Sequence, residues 1–277
     1  MDKAKANDFY GRFREIVSDP LNLLIERCPN AGFVNGEYVY LHNGIKVPFK
    51  GPLSYYDDFS QILVINRGVH EPVEEYVFQQ VMKVINVAKP TMLELGAYWG
   101  HYSLWMKQCH PNSSVYLVES DASNLAAGKN NFIANGQEGH FIEAFVGHGH
   151  FNVDDYLSSK TGPLTILHSD IQGYEVEMLK DASRSLREHL VDYIFLSTHS
   201  QQLHQESLSL LADYGYRIEV SSDFTHETTS FDGFIFASSP TVKAVFKYLN
   251  PLGRADIIHS DSCRLLESVV RIKQIHQ

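Results

Sequence analysis

Residues 91–106, TMLELGAYWGHYSLWM, decide the fold. They open with the apolar run Met92-Leu93-Glu94-Leu95, set between Pro90 and Gly96. A run this short and apolar, bounded by chain breakers, reads as a buried parallel strand. Gly96 and Gly100 bracket a tight turn, after which Tyr98, Tyr102, Trp105 and Met106 follow at helical spacing. Strand, glycine-bounded turn and helix form the first unit of a nucleotide-binding α/β sheet. Glycine lets backbone come close to a ligand, and the first amides of the new helix favour negative charge.

The spacing narrows the ligand. A dinucleotide turn reads G-x-G-x-x-G, with its second glycine against a pyrophosphate. Here the pattern is G-x-x-x-G, Tyr98 obstructs that approach, and Glu94 would repel a pyrophosphate. A ligand with an amino-acid end fits better: its carboxylate meets helix amides and its ammonium meets an acid. S-adenosylmethionine is such a ligand. The next strand, 114–118, ends in Glu119, 23 residues beyond Gly96. An acid there can accept from both ribose hydroxyls.

Outward from this centre the alternation is regular. Further strands are expected at 139–146, 164–168, 193–198, 216–220 and 233–237, with helices at 99–109, 121–134, 173–179 and 201–212. Such alternation predicts an α/β sheet of seven strands, mostly parallel, with helices on both faces. Upstream, Phe9, Phe13, Ile16 and Val17 share helical spacing, and a short helix is expected at 21–27. Asn43-Gly44 between extended segments signals a hairpin. Residues 61–66 read as a strand or a buried segment, and Glu71-Pro72 starts a helix to about 87. The segments 240–249 and 260–275 read as helices. The chain thus divides into an α+β extension, 1–70, that caps the sheet, a catalytic domain, 71–240, and a helical tail, 241–277. Such an extension can close a site in cis or form a homodimer.

The chain has 277 residues, 44% hydrophobic and 12% aromatic, enough for one large domain with a substantial core. A net charge of −10 without a basic cluster argues against a nucleic-acid partner. Cys28, Cys109 and Cys263 lack C-x-x-C spacing and read as the reduced thiols of a cytoplasmic protein. The first residues carry no apolar signal segment. No run approaches the ~18 apolar residues that span a membrane.

Ligands of such sheets bind outside the carboxyl ends of the strands. Those ends carry Glu94 to Gly100, Glu119 to Asp121, Phe145 to His150, His168 to Gln172 and Ser197 to Ser200. The order of motifs resembles the FkbM family of S-adenosylmethionine-dependent methyltransferases, over roughly residues 70–240. MLELGAYWGHYSLWM is similar to that family's first motif, and VYLVESDASNLAAGKNNFIANG to its second. FNVDDYL and LHSDIQGYEVEMLKDA resemble two later ones. The resemblance implies a class I methyltransferase, Rossmann-like fold and transfer of the sulfonium methyl group, usually to oxygen. It implies that Glu94, Gly96, Ala97, Tyr98, Gly100 and Ser103 line the methionine end of the cofactor. Glu119 would hold the ribose, with Ser120, Asp121 and Asn124 beside it, and Phe145 or Val146 would flank the adenine.

The chain departs from the family where the acceptor should bind. The usual Lys is His168, the usual Glu before the glycine is Gln172, and the usual Glu ending strand five is Ser197; His199 is kept. Adjacent parallel strands lie ~4.8 Å apart, so Asp170 and His199 can converge. His199, with an ordinary pKa near 6.5, would be the general base and Asp170 its orienting partner. Gln172 could hydrogen-bond the acceptor, and Glu175 reads as a first-turn helix charge. Alternatively His168, Asp170 and His199 hold a divalent metal that orients the acceptor hydroxyl. Two imidazoles favour Mn²⁺, Fe²⁺ or Zn²⁺ over Mg²⁺. His148 and His150 have metal-like spacing but read as a surface loop. His226 lies in a connection that can reach the acceptor. Tyr55, Tyr56 and Phe59 could line a lid. The expected activity is O-methylation of a small-molecule, sugar or natural-product hydroxyl. The competing readings are a methyltransferase-fold binding module that has lost catalysis and a non-haem metal oxygenase.

Overall fold

The computed structural model describes residues 9–147, 149–160, 162–247 and 249–275. The N-terminal part holds α1 (Phe9–Ser18), a 3-10 turn (Pro20–Leu23) and a small antiparallel sheet of β1 (Val34–Asn35), β2 (Tyr38–Tyr40) and β3 (Lys46–Pro48). A second 3-10 turn (Asp57–Ser60) leads into α2 (Gln61–Ile65), and α3 (Pro72–Val84) follows. Then come β4 (Thr91–Leu95), α4 (His101–Cys109), β5 (Ser114–Glu119), α5 (Ala122–Ala134), β6 (His140–Glu143) and α6 (Val153–Ser158). The second half runs through β7 (Leu164–Ser169), α7 (Glu175–Asp181), α8 (Ser183–Arg187), β8 (Val191–Thr198), α9 (Gln201–Asp213), β9 (Arg217–Ser222) and β10 (Gly233–Ser238). It closes with α10 (Arg254–Ile258) and α11 (Ser262–Ile275).

The main sheet has seven strands in the order β6-β5-β4-β7-β8-β10-β9. β4 pairs in parallel with both β5 and β7, and β10 runs antiparallel between β8 and β9. This is the expected class I methyltransferase, Rossmann-like arrangement. The chain steps outward from β4 to β6 and then crosses back to β7. The strand order reverses between β4 and β7, which opens a crevice at their carboxyl ends. The antiparallel β10 brings its own beginning to that same edge, since Gly233 lies opposite Thr198.

Alternate residues of each strand serve opposite faces. Met92, Ile166, Phe195 and Phe236 belong to a core shared with α3, α4 and the N-terminal part. Leu93, Leu167, Ile194 and Ile235 belong to a second core under α7 and α8. A fully buried side chain of this size contributes about 1.5–3 kcal/mol.

Several local expectations change. Residues 61–65 form a helix, not a strand. The 21–27 helix is only the short turn at Pro20–Leu23, whose first amide is capped by Asp19. The helix expected to 87 stops at Val84, because Ile85 is extended. β6 is shorter than 139–146 and ends at Glu143. Residues 240–247 are not helical; Glu219 instead accepts from the amides of Val245 and Phe246.

The N-terminal part lies against the β9–β10 connection. The Arg12 guanidinium sits 4.2 Å from the Phe231 ring centre, and Thr229 donates to the buried Asp19 carboxylate. Arg254 pairs with Glu15 nearby. Among the described residues no helix is long and apolar enough to cross a membrane.

Candidate active site

A cavity of about 380 Å³ opens where β4 and β7 end. Its floor is the turn after β4, Gly96 to Trp99. Its roof comes from Arg12, Tyr55, Tyr56 and Phe59, and its far wall from Phe231 and Asp232. The turn is tight because Gly96, Tyr98 and Gly100 all take left-handed backbone, with φ of 70°, 42° and 69°. A Cβ on Gly96 would sit 1.8 Å from the Asp170 carbonyl oxygen, so glycine is what lets β7's exit pack there. A Cβ on Gly100 would meet Leu117 Cδ2 at 2.8 Å. Gly100 therefore packs against β5 and does not line the cavity.

Glu94 and Glu119 flank this turn. Glu94 is buried, lines the cavity and accepts from the Ser103 amide at 3.0 Å. Burial raises its pKa, against the lowering effect of His168. Glu119 accepts from the Tyr98 amide at 3.0 Å and the Asp121 amide at 2.8 Å. Those two bonds use part of its acceptor capacity, since a carboxylate offers about four lone-pair positions. Ala97 and Tyr98 line the cavity. The Tyr98 hydroxyl donates to the Ser54 carbonyl and accepts from the Tyr56 amide, which fixes the roof to the floor.

The other expected cofactor residues lie further out. Ser103 is buried in α4 and contributes its amide rather than a lining surface. Ser120 is exposed, and Asp121 caps α5 by accepting from the amides of Ser123 and Asn124. Phe145 is half-exposed and meets Tyr174 edge-on at 4.7 Å. Val146 turns into the core instead. His148 lies outside the described residues, and His150 is exposed. His226 is paired with Asp223 on the surface.

His199 sits among three carboxylates. Its Nδ1 contacts Glu175 at 2.5 Å, and its Nε2 lies 3.2 Å from Asp170 and 3.5 Å from Asp232. Burial opposes its charge, yet hydrogen bonds to Asp170 and Glu175 raise its pKa to about 10. His199 is thus an imidazolium at neutral pH, and the expectation of a neutral base is corrected. Burial and the Asp170 charge raise Asp232 to about 7, and burial with Glu74 raises Glu71 to about 8. Gln172 takes a left-handed φ of 53° and donates to Asp170 at 3.1 Å.

His168 does not join His199. It points under the turn, 2.5 Å from Glu74 and stacked near Tyr102, while Ser197 donates to the other Glu74 oxygen at 3.2 Å. His168 and Ser197 therefore meet on one buried glutamate of α3. The metal trio His168, Asp170 and His199 is corrected accordingly: Asp170, His199 and Asp232 are the residues that converge. His199 Nε2 lies between Asp170 and Asp232 as an ion pair, and its Nδ1 is taken by Glu175.

Sequence reasoning missed Asp232, Glu74, Glu75 and Arg12. It read Glu175 only as a first-turn helix charge, whereas the residue is also fully buried against His199. Asp232 had a signal: an antiparallel strand inside such a sheet presents its start, not its end, at the ligand edge.

No protein-family model matches the chain, and none of the curated proteins does. Among solved structures, precorrin-6y C5,15-methyltransferase from Geobacter metallireducens is similar at 15% identity, with 60% of this chain and 88% of that chain covered and a TM-score of 0.43. A ribosomal protein L11 methylase from Lactobacillus delbrueckii is similar at 13% identity, covering 61% and 79%, with a TM-score of 0.43. TrmK from M. capricolum, in complex with S-adenosyl-homocysteine, is similar at 13% identity, covering 72% and 94%, with a TM-score of 0.42. The strand order, not these distant likenesses, assigns the fold.

Proposed function

We propose that the chain is an S-adenosylmethionine-dependent methyltransferase acting on a hydroxyl group of a small molecule. The observation that carries this reading is the pair of carboxylates at neighbouring strand ends, Glu94 and Glu119, on either side of the turn that floors the cavity. When bound, the cofactor supplies a methyl group on a sulfonium centre. Glu94 accepts from the ammonium group, and Glu119 takes the ribose hydroxyls with the lone pairs its two amides leave free. Asp170, joined by Asp232 above about pH 7, lines the cavity and favours a cationic ligand. Tyr55, Tyr56 and Phe231 form an aromatic wall that suits a flat or sugar-like acceptor ring.

Methyl transfer is an in-line displacement, so holding the acceptor oxygen ~3 Å from the methyl carbon is much of the work. Asp232, ionised above about pH 7, takes the hydroxyl proton. The His199 imidazolium keeps Asp170 and Asp232 together, and in this reading it supplies the local positive charge a metal would bring. No step requires a metal at these residues.

Calorimetric titration of S-adenosylhomocysteine into the protein tests the cofactor assignment. Micromolar binding is expected, weakened at least tenfold, or about 1.4 kcal/mol, in Glu119→Ala. Absence of binding by the wild type overturns the reading.

A further inference from the structure

A second cluster lies beneath the turn, outside the cavity. His42 from the β2–β3 hairpin, Glu75 from α3 and His101, the first residue of α4, converge with their side chains buried. One donor atom from each lies within 4.8 Å of the others. His42 Nε2, Glu75 Oε2 and His101 Nδ1 are buried, and none has a hydrogen-bond partner among the described residues. Buried polar atoms are nearly always satisfied, and one left without a partner costs about 1–3 kcal/mol. Three such atoms in one cluster call for a ligand that engages all three.

The spacing fits a metal ion. Ligands at 2.0–2.2 Å from a tetrahedral zinc stand about 3.3 Å apart. His42 Nε2 and Glu75 Oε2 are 3.5 Å apart, too long for a hydrogen bond and close to that value. The surroundings fix the ligands. His70 Nδ1 contacts the other Glu75 oxygen and orients the carboxylate, as partners of metal ligands do. The rings of Trp105 and His42 pack at 4.6 Å, and the Asn43 amide reaches His101 Nε2 at 3.3 Å. Burial disfavours the charged form of His42 and of His101. Neutral imidazoles and a carboxylate are the forms that bind metal. His199 differs in that both its nitrogens lie within 3.2 Å of a carboxylate oxygen.

We propose that His42, Glu75 and His101 bind a divalent transition-metal cation, zinc being the best match to two imidazoles and one carboxylate. The ion would join the N-terminal hairpin and α3 to the first turn of α4. It would act as a structural fastening behind the cavity floor and would take no part in chemistry.

The full chain, stripped with a chelator and dialysed against zinc, is assayed for bound metal by plasma mass spectrometry. One zinc per chain is expected in the wild type and in His199→Ala, with affinity at least tenfold lower in His101→Asn and His42→Asn. Zinc should raise the thermal midpoint by about 5 °C or more. X-ray absorption of the zinc-loaded wild type reads the ligands without any variant: two imidazoles support the proposal. A wild type that takes up no zinc overturns it. So does a zinc shell with one imidazole, or zinc lost in His199→Ala and kept in His101→Asn. Neither the binding nor its failure bears on S-adenosylhomocysteine titration, which reads the cavity alone.

Discussion

Asp232 is held near neutrality by burial and by the charge on Asp170, so its carboxylate is half ionised at about pH 7. Below that pH it already carries a proton and cannot take another. Under the proposed reaction the rate at limiting substrate rises through pH 7 and then levels, until His199 loses its proton near pH 10. Asp232→Asn should abolish the lower limb and reduce kcat by about 10²–10⁴-fold. A pH–rate profile that keeps its limb in this variant assigns the proton to another group, with Glu71 next in line at about pH 8. The sequence put Glu94, Glu119, Asp170 and His199 at the carboxyl edge of the sheet, because each lies near or just past the end of an apolar strand. It hid Asp232, which precedes one. It also hid the charge of His199: two carboxylates converging on one imidazole from α7 and from β10 leave no trace in spacing along the chain.

At the scale of elements, the roof of the cavity is a strained segment. Tyr56 and Asp57 are consecutive non-glycine residues with left-handed φ of 46° and 50°. Such backbone costs about 1–3 kcal/mol per residue unless its surroundings hold it. The Tyr98 hydroxyl does part of that holding through Ser54 and Tyr56. Tyr98→Phe should lower global stability by only about 1 kcal/mol, measured by urea unfolding. Hydrogen exchange at residues 54–57 should accelerate far more than elsewhere, and acceptor KM should rise while cofactor affinity holds. Uniform acceleration over the whole chain would show that the hydroxyl supports the fold and not the roof. The aromatic residues of this roof were visible as a cluster in the sequence. The role of α3 was not. Val77 and Val81 marked its inward face, but Glu74 and Glu75 lie on that face as well. Apart from His70, their partners His42, His168 and Ser197 are scattered over the chain, so no local window contains those pairings.

Over the whole molecule, the main sheet was readable because each strand–turn–helix unit declares itself within about 30 residues. The packing of the N-terminal part was not readable, since it depends on contacts between chain ends. Asp19 meets Thr229, 210 positions away, and Arg254 meets Glu15, 239 positions away. Those contacts have a kinetic consequence. A contact this distant closes a very large loop, and such closure is slow relative to local pairing. The sheet can gather from neighbouring units, whereas the cavity needs Arg12 and Phe231 in place together. In stopped-flow refolding, far-ultraviolet dichroism should recover before the near-ultraviolet signal of the aromatic roof, and Thr229→Val should slow the second phase more than the first. Recovery of both signals in one phase would overturn that order. During synthesis, the ribosome releases α1 long before β10 exists. The wall and roof of the cavity are therefore made at opposite ends of translation, and a chain cut short before Phe231 could hold most of a sheet yet never enclose a substrate.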